Sequence, residues 1–210
     1  CPASSSREPN LDAALTRLSH EPPRDGVYQG FSILEGPIWY QGALYVSQIA
    51  SGSHPDSRIL KYEPESGFST KLPNAGTNGL ILRHDGKVLA ARHKPEGAII
   101  LWDDFSGSAS PSVVIDRYEG HAFNSPNDLI VSSTGHTYFT DPSWQAPSPN
   151  PQSEERAYWL DKEGNLESIK NAPARPNGIA LSPDQKTLFI AGAGQLMKFS
   201  LNENGKPDDG

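Results

Sequence analysis

Four units of the same form follow one another along this chain, and this recurrence constrains the fold more than any other feature. The first reads Glu35-Gly36-Pro37-Ile38-Trp39 and then Gly42-Ala43-Leu44-Tyr45-Val46. The second reads Asn78-Gly79-Leu80-Ile81-Leu82 and then Gly86-Lys87-Val88-Leu89-Ala90. The third reads Asn127-Asp128-Leu129-Ile130-Val131 and then Gly135-His136-Thr137-Tyr138-Phe139. The fourth reads Asn177-Gly178-Ile179-Ala180-Leu181 and then Gln185-Lys186-Thr187-Leu188-Phe189. An apolar run, a tight polar turn and a second apolar run make a hairpin. A further strand-like run follows each hairpin, at Arg58 to Tyr62, Ala98 to Trp102, Ala157 to Leu160 and Gln195 to Ser200.

The units recur at intervals of roughly 40–50 residues, the period of four-stranded propeller blades. Helical solenoids share that period, but nothing after Val27 holds a 3.6-residue pattern, and Pro and Gly interrupt each candidate helix. A β-sandwich gives no reason for four matched units. The expected fold is therefore all-β, a β-propeller over residues 27–210 with about four blades. Propellers close on typically 4–8 blades. The last unit runs out at Asp208-Asp209-Gly210, so the expectation is a larger ring truncated at its C-terminus. An apolar content of 35% with 19 Gly and 19 Pro suits such a turn-rich chain.

Residues 1–26 are rich in Ser, Pro and charge and read as a flexible tether, with Leu11, Leu15 and Leu18 on one face of a short helix. The single cysteine is Cys1, which excludes a disulfide framework and a cysteine-based zinc site. Cys1-Pro2-Ala3 and the serines after it are similar to the mature start of a bacterial lipoprotein. That likeness predicts a lipid anchor at Cys1 and a periplasmic or membrane-anchored location, although a cut at this point would leave the same end. A net charge of −7 argues against nucleic acid or an anionic membrane surface as partner. No apolar run reaches transmembrane length.

Aligned, the units place Glu35, Asn78, Asn127 and Asn177 in one column, just before the strand that opens each blade. If that strand is innermost, rotation about the propeller axis turns these side chains toward one another. A carboxylate and three carboxamides offer the oxygen donors of a hard cation, Ca2+ first, with Mg2+ or Mn2+ as alternatives. Asn before Gly also serves turns, so the argument rests on the column and not on one member. Asp128 adjoins Asn127, but alternation along a strand turns it the other way. No Gly-x-Ser-x-Gly elbow and no His-x-x-His pattern occurs. His93 ends a strand and could face the channel. His121 precedes Asn124 by three residues, and Asp141-Pro142 reads as a turn cap.

Four segments together resemble the gluconolactonase and regucalcin (senescence marker protein) family. They are Leu34 to Trp39, Phe123 to Asp128, Tyr138 to Pro142 and Arg175 to Asp184, in the family's order, with the resemblance covering about residues 30–205. The resemblance implies a six-bladed propeller, of which about four blades lie in this chain, with a divalent metal, most often Ca2+ and otherwise Mg2+, Mn2+ or Zn2+, in the central channel. It implies that Glu35, Asn127 and Asn177 are metal ligands and that Asn127, with Asn78 and His93, contacts substrate. The family's Asp-Gly motif, whose Asp binds metal and serves as general base, would lie beyond residue 210. The Ser-Asp that usually follows the fourth unit is replaced by Ala191-Gly192-Ala193-Gly194, and the basic residues expected before Asn124 are His121 and Ala122.

The implied activity is metal-dependent hydrolysis of a sugar lactone, a small-molecule carboxylic ester. The fragment alone is expected to be inactive for want of its base. Two other classes remain open: a paraoxonase-like propeller esterase or phosphotriesterase, and a calcium-binding propeller with no enzymatic activity.

Overall fold

The computed structural model describes residues 33–50, 57–105 and 109–210. The tether over residues 1–26 and the anchor expected at Cys1 lie outside the described residues. Seventeen strands and no helix make up these segments. β1 (Ile33–Tyr40), β2 (Ala43–Ile49), β3 (Arg58–Glu63) and β4 (Gly67–Leu72) form one antiparallel meander. β5 (Thr77–Leu82), β6 (Val88–Arg92), β7 (Ala98–Trp102) and β8 (Ser112–Ile115) form the second. A small hairpin of β9 (Arg117–Tyr118) and β10 (His121–Ala122) precedes the third, made of β11 (Leu129–Val131), β12 (Thr137–Asp141), β13 (Arg156–Leu160) and β14 (Leu166–Ser168). β15 (Pro176–Leu181), β16 (Thr187–Gly192) and β17 (Gln195–Ser200) form the last. These are the four expected blades. The outer strands β4 and β8 and the β9–β10 hairpin went unread because they are short or polar.

Why the blades stack follows from the period of two along a strand. In β6, Val88 and Ala90 enter a core shared with Ile38, Tyr45 and Ile59 of the first blade. Leu89 and Ala91, on the opposite face, enter a core shared with Leu129, Phe139 and Tyr158 of the third. In β12 the alternation repeats: Phe139 faces back, while Tyr138 packs forward with Ile179, Leu188 and Phe199 of the fourth blade. Each blade is thus apolar on both faces, and each core lies between two blades. Phe105 anchors the first of these cores, edge-on to Tyr40, Tyr45 and Trp102 at ring-centroid distances of 5.9, 5.1 and 5.3 Å.

The innermost strands meet with almost no side chain between them. Residue-by-residue pairing slips by one position between Glu35 and Ile38, between Thr77 and Leu80 and between Pro176 and Ile179. These are β-bulges, which redirect side chains at the start of a strand. A glycine occupies each bulge. A Cβ on Gly36, whose φ is +57°, would collide with the backbone N of Leu80. One on Gly79 would lie 2.9 Å from the Asn127 carbonyl oxygen and 2.9 Å from Asp128 Oδ1. Gly79 N–H also donates to the Asn127 carbonyl at 2.6 Å, joining two blades directly.

Gly178 has the same place in the fourth blade, but nothing lies within 4 Å of its Cβ position. Gly79→Ala is therefore expected to lower the unfolding free energy by about 2–3 kcal/mol. Gly178→Ala is expected to leave it within about 0.5 kcal/mol. Chemical denaturation of the two variants checks the pair, and equal effects would remove the close-approach argument.

Candidate functional site

Two residues of the column found in the sequence lie inside β-bulges. Asn78 lies inside the second blade's bulge and is buried. Asn127 is buried too, fixed by Thr140, whose carbonyl accepts its N–H at 2.8 Å. Asn177 lies inside the fourth bulge and is half-buried. Glu35 is offset: two residues, Gly36 and Pro37, separate it from the first buried residue of its strand, against one in the other blades. Pro37 has no N–H to pair and takes up the extra place. Glu35 is consequently the last paired residue before the bulge, opposite Ser47, and carries one methylene more than Asn.

The side chains in this ring are poorly partnered. Among the described residues, the side chains of Glu35, Asn127 and Asn177 have no hydrogen-bond partner, and the buried Asn78 Nδ2 is orphaned. Burial raises the Glu35 carboxyl above the ordinary carboxylate range, and the charge of Asp128 raises it further. Asp128 therefore lies within electrostatic reach of Glu35, contrary to the strict alternation expected along its strand. Its place explains this. Asp128 stands where the other blades have Gly36, Gly79 and Gly178, at the start of β11 and not within it. Its Oδ1 accepts from its neighbour Leu129 N at 2.9 Å, and its Oδ2 reaches the fourth blade, accepting from Ile179 N at 3.1 Å. Those two N–H groups lower its pKa, but burial outweighs them and the net shift is upward. The clue was available in the sequence, since Asp128 is the one carboxylate in a column of glycines.

The remaining candidates lie elsewhere. His93 is 2% exposed and follows β6; its Nε2 is 3.1 Å from Ser57 Oγ, and its Nδ1 is buried without a partner. Burial, with some help from Lys94, pushes its pKa down to about 4. His121 is exposed on the β9–β10 hairpin, and its carbonyl accepts from Gln152. Asp141 is the turn cap it was read to be: fully buried, it accepts from Asn124 N at 2.9 Å and Ser125 N at 2.7 Å. It thereby fixes the segment that leads into Asn127. Among the described residues no three His, Cys, Asp or Glu side chains converge.

His93 gives a signed pH test. The folded protein keeps it neutral down to about pH 4, while the unfolded chain takes up a proton near its ordinary value of 6.5. The stability tied to its neutral form is fully present above pH 6.5 and is lost as pH falls toward 4, by about 3 kcal/mol in all. Urea unfolding at both ends of this window should show a smaller acid loss in His93→Gln than in the unsubstituted protein. An unchanged acid loss would mean that His93 is not buried neutral.

The family description "SMP-30/Gluconolactonase/LRE-like region" matches residues 33–209. A gluconolactonase of Zymomonas mobilis subsp. mobilis is 30% identical over 219 aligned positions, covering 95% of this chain and 60% of that protein. The solved structure of a gluconolactonase from Xanthomonas campestris matches with a TM-score of 0.72 at 26% identity, over 85% of this chain and 61% of that one. Regucalcin from Agrobacterium tumefaciens, a calcium-binding protein, matches in fold with a TM-score of 0.60 at 18% identity, over 83% of this chain and 56% of that one. The chain spans about three fifths of the length of these relatives.

Proposed function

The chain belongs to the SMP-30/gluconolactonase/LRE-like family, and on that footing we propose that the protein hydrolyses a sugar lactone with a divalent cation held by Glu35, Asn127 and Asn177. The observation that carries the reading is the column of Glu35, Asn127 and Asn177, whose side chains have no hydrogen-bond partner among the described residues, with the charge of Asp128 felt at Glu35. Two like charges half-removed from water are unfavourable unless a cation lies between or beside them. The donor set is all oxygen, which suits calcium or magnesium and not a soft metal. Neutral carboxamides would leave a bound ion with most of its charge uncompensated.

Such an ion, when bound, polarises a carbonyl and lowers the pKa of an adjacent water. The protein's own groups do the rest. Glu35 supplies the negative charge that retains the cation. Asn127, clamped by its backbone to Gly79 and Thr140, presents its amide without freedom to swing away. Asn177 is similarly held, its carbonyl accepting from Thr140 Oγ1 at 2.7 Å. Asn78 Nδ2 is a donor in want of an acceptor, the kind of group that fixes a lactone hydroxyl or carbonyl. His93, neutral and bonded to Ser57, serves as a rigid support behind the site and not as its proton acceptor.

Calcium calorimetry is the direct test. Binding is expected in the unsubstituted protein and weakened at least about tenfold in Glu35→Gln. In a version extended past Gly210, hydrolysis of glucono-δ-lactone should stop on chelation and return with added calcium. Turnover indifferent to chelation would sink the metal reading. Calcium binding without turnover of any lactone would leave a calcium-binding propeller in its place.

A further inference from the structure

Next to Asn177 the molecule carries a second set of side chains that the lactone reading does not use. A cavity of about 560 Å³ is lined there by Trp144, Arg175, Asn177, Gly178 and residues 191–195 of the β16–β17 turn, Gln195 among them. Its size is that of a small-ligand site. The Arg175 guanidinium lies over the Trp144 ring, 5.7 Å from its centroid. Among the described residues that guanidinium makes no ion pair, in a chain of net charge −7.

The arrangement is built, and at a cost. Arg175 has a φ of +50°, a conformation that non-glycine residues seldom adopt. Two features hold it there. Glu155 accepts the Arg175 N–H on Oε2 at 2.9 Å, while its Oε1 accepts from Ser143 N at 3.0 Å and from Ser143 Oγ at 2.6 Å. One carboxylate thus ties the segment carrying Trp144 to the segment carrying Arg175. On the other side the strand pairing needs Gly192: a Cβ there would lie 2.8 Å from the Arg175 carbonyl oxygen and 2.7 Å from that of Ala174. The turn beyond it, Ala193 and Gly194, contributes no bulky side chain to the cavity. A strained residue, clamped by a carboxylate and admitted by a glycine, turns an unpaired cation onto an aromatic face at the edge of a cavity.

We infer that Arg175 and Trp144 form a recognition site for a sugar bearing an exocyclic anionic group, a carboxylate or a phosphate, and that the protein's substrate belongs to this charged class. The inference rests on the lactone reading only for the sugar scaffold. Trp144 offers the flat apolar face on which a sugar ring packs. A guanidinium stacked on an aromatic ring keeps its N–H edge free for two parallel bonds to a carboxylate or phosphate. Arg175 is the specificity-determining residue, and Glu155 and Gly192 are positioning residues.

The test uses unreactive pyranosides and contains no metal, so it stands apart from the cation question. The protein is titrated by calorimetry in EDTA with methyl glucoside, methyl glucuronide and methyl glucoside phosphorylated on its terminal hydroxyl. At least one anionic probe should bind about tenfold or more tightly than methyl glucoside, with the preference shrinking as salt is added. Which of the two binds identifies the anion. Arg175→Asn, chosen because Asn tolerates positive φ, should abolish the preference while leaving calcium binding unchanged. Trp144→Ala should weaken the binding of the preferred probe. Equal affinity for all three probes, binding of none of them, or a preference that survives Arg175→Asn would overturn the inference. A preference that depends on Arg175 in a protein that binds no calcium would uphold it and would defeat the metal reading alone.

Discussion

The structure depends on how closely the innermost strands of successive blades approach. Between the first and second blades the contact at Gly36 is backbone against backbone, and between the second and third Gly79 meets the Asn127 carbonyl and the Asp128 and Leu129 side chains. Nothing larger than hydrogen fits on those α-carbons. The seams are then closed by hydrogen bonds between blades: Ser47 Oγ to Thr77 Oγ1 at 2.9 Å, Gly79 N–H to the Asn127 carbonyl at 2.6 Å, and Thr140 Oγ1 to the Asn177 carbonyl at 2.7 Å. In the third blade, where the glycine would stand, Asp128 takes part in the seam with its side chain. The bulges that permit this approach also redirect the residues beside them. The same local geometry therefore brings the blades together and sets the backbone at Asn78 and Asn177. Close packing and the site share a cause, and a change that widens a seam should disturb both.

Much of this was legible in the sequence because propeller blades repeat their chemistry as well as their shape. The third strands at Ala98–Trp102 and Gln195–Ser200 have the bounds read for them, and the inner hairpins fall within a few residues of theirs. Alternating apolar residues that must satisfy two neighbouring blades leave few other assignments. The outermost strands were not legible: β8 has exposed Val113 and Val114 on the outside of the molecule, and β14 is three residues long. With so little burial, pattern carries little information there.

The site was partly legible. Residue type and register indicated Glu35, Asn78, Asn127 and Asn177, but strict alternation misled at Asp128. Alternation holds only where the chain is regularly pleated, and Asp128 precedes β11 next to the bulged edge of its neighbour. Pro37 caused a smaller error by adding a residue to the first bulge, so that Glu35 is one place out of the column. His93, read as a channel residue because it ends a strand, is buried, with Nε2 bonded to Ser57 and Nδ1 left without a partner. Arg175 drew no attention as a residue in its own right, since a positive φ at a non-glycine residue leaves no mark in a sequence.

Stability and the proposed site pull in opposite directions. An orphaned buried amide at Asn78, two carboxylates within electrostatic reach of each other, and an arginine in a left-handed conformation each cost of order 1–3 kcal/mol. All three lie at the same end of the blades, around the starts of the inner strands. The cores between the blades, by contrast, are filled by fully buried residues such as Ile59, Leu89, Phe139 and Leu188. At the starts of the inner strands a cation would neutralise the carboxylates, a hydroxyl would take the free amide proton and an anion would meet the arginine. The well-packed blades supply the stability that lets those groups remain unsatisfied until a ligand arrives.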